Sequence, residues 1–118
     1  MVEKFKTILE GIITEKGQIT LLALLKMDEF VDKWTVVFCA PWASADNRAE
    51  VFEVVKNAIV KNLTSEEISE IGRIGIFPKT EHLVEELLQY QSGASLENQK
   101  INGNTVHLAH IIFSNSNA

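Results

Sequence analysis

Apolar residues follow different spacings in successive parts of this chain, and each spacing predicts a secondary structure. Near the amino terminus they recur every three or four residues among charges, which predicts an amphipathic helix that Gly17 ends. Its apolar positions are Val2, Phe5, Ile8, Leu9, Ile12 and Ile13. Residues 35–40 are instead β-branched, aromatic or small and carry no charge, which is typical of a strand covered on both faces. Pro41 cannot donate to a sheet, so we expect this strand to end there and to be the central one.

The run from Gln18 to Lys26 is apolar at most positions, and its periodicity fits either a strand or a helix. A short connection through Asp28, Glu29 and Asp32 favours an antiparallel hairpin with the strand that follows. The high leucine content keeps the helical alternative open.

Helical spacing returns after the second strand. A helix is predicted from Ala45 to Leu63, with Ser44 or Asp46 as its cap. Directly after it, Thr64 and Glu67 stand at the spacing of a capping box, which predicts a short further helix.

A third strand is predicted from Arg73 to Phe77, and Pro78 ends it. Because a helix lies between this strand and the one at 35–40, a right-handed crossover should make the two strands parallel. Thr80 is the predicted cap of the next helix, which we expect to stop at Gly93.

The clearest turn signal is the pair Asn102-Gly103, which predicts a type I′ hairpin. It would join a polar strand, Glu97–Ile101, to an apolar strand, Thr105–Phe113. The polar strand is predicted to be an edge strand, since its side chains have little to bury.

This order of elements predicts an α/β (α+β) fold. We expect a single globular domain over residues 1–113, with a mixed sheet of about five strands covered by three main helices. Two hairpins and one parallel crossover would build the sheet. Residues 114–118 are polar or small, so we expect a disordered tail.

Composition narrows the possible functions. The chain has 118 residues, 46% hydrophobic and 23% charged, which is ordinary for one globular domain. Its net charge of −5 argues against a nucleic-acid partner. The sequence contains neither an apolar run of about 18 residues nor the pattern of a signal peptide, so we expect no membrane span and a cytoplasmic protein.

Chemically active side chains are sparse. Cys39 lies in the most apolar run, where a thiol usually serves as a small core residue. His107 and His110 would point to opposite faces of a strand, so without a bulge they cannot share a metal ion. We therefore expect neither a metal nor a cofactor, and whether the chain is an enzyme stays open, with a non-enzyme favoured.

One edge of the predicted sheet is the best place for a ligand. Parallel strands end at the same edge, and each is followed here by a helix amino terminus with free backbone donors. The residues that this arrangement brings there are Trp42, Ser44, Arg48, Lys79 and His82. They would suit a small anionic or aromatic ligand. The alternative is that these side chains are only structural, because carboxylates in the same helix turns would compete with an anion.

A resemblance adds an origin but no activity. The segment from Asp32 to Val37, continuing to Ala40-Pro41-Trp42, resembles part of a small bacterial family of uncharacterised α/β domains. The likeness extends more loosely through residues 63–67 and the strand after them. It implies a bacterial protein and a compact domain, and it supplies no functional residue.

These observations favour a non-enzymatic binding or protein-interaction domain that self-associates. Two nearly continuous apolar strands and only three substantial helices would leave some apolar surface uncovered, and such a patch usually meets a partner. The first alternative is a small-molecule or anion-binding protein, or an enzyme, with its site at the edge formed by Trp42 and Lys79. A further alternative, from small size and acidity, is an accessory protein of a toxin–antitoxin or phage system.

Overall fold

The structure, a computed structural model, describes residues 1–27 and 32–118. This part of the chain forms four helices and five strands. The helices are α1 (Val2–Lys16), α2 (Arg48–Asn62), α3 (Ser65–Ser69) and α4 (His82–Leu87). The strands are β1 (Leu21–Met27), β2 (Trp34–Cys39), β3 (Ile71–Ile76), β4 (Ser95–Ile101) and β5 (Asn104–Ser114).

The strands form one mixed sheet in the order β3-β2-β1-β5-β4. β2 and β3 are parallel, and the other neighbours are antiparallel. This confirms the predicted fold class, including the parallel crossover through α2. The ambiguous apolar run is the strand β1. Its predicted connection to β2 includes Asp28 and Glu29, which lie outside the described residues.

The centre of the sheet differs from the prediction. We expected residues 35–40 to be central, but β1 holds that place because it pairs with both β2 and β5. The side chains of β1 from Leu21 to Leu25 are completely buried. β2 is the next strand outward and is buried on both faces from Thr35 to Cys39. This is why β1 and β2 have similar apolar patterns in the sequence.

Helices cover both faces of the sheet. On one face α1 and α2 pack on alternate strand residues, with Phe5 and Val55 against Leu22 and Phe38. On the other face the short helix α4 supplies the cover for the intervening residues, among them Ala23 and Val37. Its own contribution to this second core is Leu83, Val84 and Leu87. Because the side chains of β1 and β2 alternate between two apolar layers, these two strands carry almost no polar residues.

The start of α2 also differs from the prediction. The helix begins at Arg48 with Asn47 in the cap position, so the predicted caps Ser44 and Asp46 were wrong. The side chain of Asn47 explains why the helix begins later in the chain than predicted. Its Oδ1 accepts a hydrogen bond from the backbone N–H of Ser44 at 2.7 Å, and its Nδ2 donates to the carbonyl of Trp42 at 2.8 Å. These two bonds close residues 42–47 into a compact loop before the helix can begin.

The cap of α3 is the predicted one. Thr64 Oγ1 accepts a hydrogen bond from the N–H of Glu67 at 3.2 Å, and Glu67 Oε1 accepts one from the N–H of Thr64 at 2.9 Å. This reciprocal pair is a capping box. A helix of only five residues depends on it, since so short a helix has little stability of its own.

The predicted bounds of α4 were wrong at both ends. The helix starts at His82 with Glu81 in the cap position, because a turn from the Pro78 carbonyl to the Glu81 N–H encloses Thr80. It ends at Leu87, well before Gly93. Gly93 has a φ of +89° and donates its N–H to the Ile111 carbonyl at 2.7 Å, so it serves the sheet rather than the helix.

The last hairpin has the predicted turn. Asn102 and Gly103 have φ values of +52° and +78°, as a type I′ turn requires. The polar strand β4 lies at the edge of the sheet, also as predicted. Asn115 follows β5 and donates its N–H to the Thr20 carbonyl at 2.9 Å. Disorder of residues 114–118 stays a prediction.

Phe38 should be essential for stability, because it is fully buried between β2 and the two long helices. We expect Phe38→Ala to lower the free energy of unfolding by about 3–5 kcal/mol, as the lost apolar area and the cavity add together. Ile13→Ala is the control, because Ile13 is exposed on α1 and belongs to neither of the two cores. It should change stability by less than about 0.5 kcal/mol in the same urea titration. Equal losses in the two variants would contradict the described core.

Candidate functional site

The carboxyl ends of β2 and β3 meet as the sequence predicts. The N–H of Phe77 donates to the Phe38 carbonyl at 2.9 Å, which holds the two loops after these strands side by side. Ser44 and Arg48 line a depression there together with Pro78, with a volume of about 70 Å³. Its volume of about 70 Å³ is well below the roughly 150 Å³ of a cavity that binds benzene, so it suits waters or a small ion rather than an aromatic ligand.

Trp42 lies at this end of the sheet, outside the depression. Its indole Nε1 donates to the Gln18 carbonyl at 2.8 Å. Its ring packs tilted against Phe38, with 5.7 Å between the ring centroids. Both contacts are internal, so Trp42 covers the end of the core and ties the chain before β1 to the chain after β2.

The remaining two predicted residues lie elsewhere. Lys79 Nζ donates to the Ser116 carbonyl at 2.6 Å and lines a different, open hollow beside α4. His82 is exposed on α4, with Nδ1 3.8 Å from a carboxylate oxygen of Glu85 and Nε2 4.0 Å from one of Glu86. Of the five predicted residues, only Ser44 and Arg48 therefore line one depression.

Other chemistry is limited within the described residues. The thiol of Cys39 is buried, and burial raises its pKa, although a hydrogen bond from Thr20 opposes this. His110 Nδ1 lies 2.9 Å from Ser95 Oγ. Residues 1–27 and 32–118 contain no group of three or more His, Cys, Asp or Glu that could hold a metal ion. In the same ranges, no helix is both long enough and apolar enough to cross a membrane.

A different surface has the features of a binding site, namely the outer edge of β3. In a parallel pair, alternate residues direct both N–H and C=O to the neighbour. Phe77 donates to β2, so Gly75 and Arg73 also face β2. The N–H and C=O of Ile74 and Ile76 consequently point outward. Because β3 ends the strand order, these groups have no sheet partner in the part of the chain that the structure describes.

An apolar groove runs beside this edge, with a volume of about 300 Å³. We call it the β3 groove, and its apolar lining is Phe52, Ile59, Val60, Ile68, Ile71 and Ile74. Val60 is 54% exposed, and only Ile13 is also an exposed large apolar residue in the described ranges. The β3 groove therefore places the more exposed of these two side chains next to backbone groups that have no sheet partner in the described residues.

The two edges of the sheet are protected to different extents. β4 carries charged and amide side chains from Glu97 to Lys100, and Asn98 at a φ of +50° interrupts its pairing. Such features discourage the addition of another strand. β3 reads Ile-Gly-Arg-Ile-Gly-Ile, with Arg73 as its one charge and without proline. β3 therefore lacks the polar side chains that protect β4, although its pairing with β2 also shifts register between Ile71 and Arg73.

An ion pair with α1 helps to position α3, whose Ile68 lines the β3 groove. Lys4 Nζ lies 2.5 Å from Glu67 Oε1, and this ion pair ties α1 to α3, the helix that carries Ile68. Lys33 donates to the Ser69 carbonyl at the end of the same helix. The Lys4 ammonium and the N–H of Thr64 lower the pKa of Glu67 from 4.5 to about 2.

Sequence reasoning identified β3 as a strand but did not recognise its free edge as a candidate site. The available signal was local: two glycines alternating with isoleucines, and none of the lysines or prolines that protect edges. Which strand ends the sheet, and that α2 leaves Val60 exposed beside it, follow only from the tertiary arrangement.

Comparison with protein-family models, curated proteins and solved structures finds no match. The fold and the site define a small α/β domain with one protected and one open sheet edge. The likeness to a bacterial family of α/β domains stays a prediction.

Glu67 should make stability depend on pH in the acid range. Its pKa in the folded protein lies below the ordinary value, so its ion pair stabilises the fold above about pH 4.5 and is lost as the pH falls towards 2. We expect Glu67→Gln to be less stable than the natural protein at neutral pH, with the difference vanishing near pH 2. Urea titrations across this range measure it, with Glu10→Gln as the control for losing a surface carboxylate. A difference that does not depend on pH would contradict this role of Glu67.

Proposed function

We propose that this chain is a non-enzymatic protein-interaction domain that self-associates, and that it binds through the outer edge of β3. The observation that carries the proposal is the coincidence of outward backbone groups at Ile74 and Ile76 with the β3 groove. Strand addition uses both features. The backbone supplies hydrogen bonds, and alternate side chains of the added strand enter an adjacent pocket.

Burial of the apolar groove would supply the driving force for association. Val60 and its neighbours expose apolar surface to water, and covering it is favourable by roughly 25 cal/mol for each Å² buried. Outward N–H and C=O groups exchange water for strand partners at a small net gain, but they fix the direction and register of the added strand. The groove would thus supply the affinity, and the backbone hydrogen bonds would supply the specificity.

A small-molecule or anion site at the edge of Trp42 and Lys79 receives less support. Ser44 and Arg48 line a depression of only about 70 Å³. The other predicted ligand-binding residues, Trp42, Lys79 and His82, contact other residues of the chain. An accessory role in a toxin–antitoxin or phage system stays a prediction, because no feature of the fold bears on it.

Light scattering coupled to size-exclusion chromatography tests the proposal. At micromolar concentrations we expect a mass twice that of the 13.2 kDa chain. Val60→Glu should weaken association at least about tenfold, since burying a carboxylate in this groove is costly even with Lys56 one helix turn away. Ile13→Glu is the matched control, because it changes an exposed isoleucine of α1 that is absent from the β3 groove.

The control should associate like the natural protein, and circular dichroism should show that both variants remain folded. A natural protein that stays monomeric throughout, or equal weakening by the two substitutions, would refute the proposed surface.

A further inference from the structure

Resting on the proposed function, we infer that two copies of this chain join β3 to β3, antiparallel, about a twofold axis that passes through Gly75. The two five-stranded sheets then become one continuous sheet. Three features of the edge support this pairing: which of its backbone groups are available, where the ring of Phe77 lies, and what lines the β3 groove.

Few backbone groups of β3 are available to an added strand. At the start of β3, the N–H of Trp34 donates to the Glu70 carbonyl at 2.8 Å, and the register with β2 shifts after Trp34. In a parallel pair the N–H two residues beyond a bonded carbonyl faces the same neighbour, so the Gly72 N–H is directed towards β2. In residues 73–76, the regular part of β3, the outward residues are Ile74 and Ile76.

The chain closes this set at the other end of the strand. Pro78 has no N–H, and its carbonyl accepts a hydrogen bond from the N–H of Glu81 at 3.0 Å. The outward groups of Ile74 and Ile76 are therefore symmetric about Gly75. An edge of this kind is complementary to a second copy of itself.

The register follows from this symmetry. A twofold axis perpendicular to the sheet must pass through a residue, because each outward residue has to meet another outward residue. With the axis at Gly75, Ile74 meets the partner's Ile76, and Ile76 meets the partner's Ile74. Each of these pairs exchanges two hydrogen bonds. With the axis at Ile74 or at Ile76 only one such pair remains, because Gly72 or Pro78 would take the second place.

The same symmetry fixes the direction of the pair. In a parallel pair the outward residues of the two strands are staggered by one position. A twofold axis along the strands would instead set identical residues at the same height, so it cannot build a parallel ladder. A closed dimer through this edge is therefore antiparallel.

An aromatic contact forms on the face of the sheet that α4 covers. Gly75 lies opposite the partner's Gly75, where the paired Cα atoms come within about 4.5 Å of each other. The ring of Phe77 occupies the place of the missing side chain, since a Cβ on Gly75 would lie 2.5 Å from Cε2 of that ring. The partner has the same arrangement, so the two Phe77 rings meet across the axis at the spacing that aromatic pairs prefer.

The opposite face of the new pair lies beside the β3 groove. Ile74 lines this groove, and Ile76 belongs to the same core. The partner's Ile76 comes opposite Ile74, so it adds an aliphatic side chain next to a lining that includes Val60. By symmetry each copy covers the groove of the other, which removes apolar surface of both copies from water.

The charges of the groove favour a second copy over a strongly charged partner. Lys56 is the charged residue that α2 contributes to the lining, and its Nζ lies 3.7 Å from Oε2 of Glu53 on the same helix. Arg73 lies opposite the partner's Phe77 rather than the partner's Arg73, so the pairing sets no like charges directly opposite each other. A second copy therefore meets neither repulsion across the strands nor an unpaired charge of α2.

Disulfide trapping tests the register in a Cys39→Ala background. When Ile74→Cys and Ile76→Cys proteins are mixed under mild oxidation, we expect a disulfide between the two, because the paired Cα atoms would be about 5.5 Å apart, within disulfide range. Each variant alone should cross-link at least about tenfold more slowly, since neither thiol meets its own copy. Non-reducing electrophoresis gives the rates and mass spectrometry the pairs. Ile13→Cys, mixed with either variant, is the control for random collision.

Hydrogen exchange in the natural protein reads the same register without a substitution. The N–H groups of Ile74 and Ile76 both face outward in one copy and both gain a partner in the dimer. We therefore expect both to exchange at least about tenfold more slowly at concentrations where the dimer dominates. An axis at Ile74 or at Ile76 would protect only one of them.

Light scattering distinguishes failure of the register from failure of the proposed function. A natural protein that stays monomeric would refute the proposed function. A dimer in which Ile74→Cys or Ile76→Cys cross-links fastest with itself, or in which fewer than both N–H groups gain protection, would refute the register and leave the proposed function standing.

Discussion

The burial of β1 on both faces and along both edges is the constraint on which the rest of the structure depends. Five consecutive side chains from Leu21 to Leu25 are completely excluded from water, so both faces need helices and both edges need strands. α1 and α2 meet the first requirement on one side and α4 on the other. β2 and β5 meet the second, and only then do β3 and β4 become the edges of the sheet.

The two edges of the sheet differ in how well they are protected against pairing with another strand. β4 carries polar side chains and an irregular residue, Asn98, so another strand gains little by joining it. β3 is short and apolar, and the crossover through α2 brings Val60 to its side. α3 completes the groove, and the ion pair between Lys4 and Glu67 fixes that helix to the first one. The β3 groove thus arises from elements that are far apart in the chain.

Most of the fold could be predicted because its signals are local. Uncharged strands, the Thr64 capping box and the Asn102-Gly103 turn each depend on residues a few positions apart. The start of α2 could not be predicted in this way, since Asn47 bonds back to residues 42 and 44 and competes with the expected caps. The residues of the predicted ligand site do not lie together for a similar reason. Trp42 is hydrogen-bonded to Gln18 and Lys79 is hydrogen-bonded to Ser116, and local spacing does not reveal either contact.

By itself, the sequence determined the class of fold, the parallel crossover and the polar edge strand, because hydrophobic periodicity and turn chemistry act over short distances. Only the tertiary structure decided that β1 rather than β2 is central, that β3 is the open edge, and that Val60 lies beside it. Strand order is set by which apolar surfaces meet when the whole chain packs, and two strands buried on both faces have the same pattern wherever they lie in the sheet.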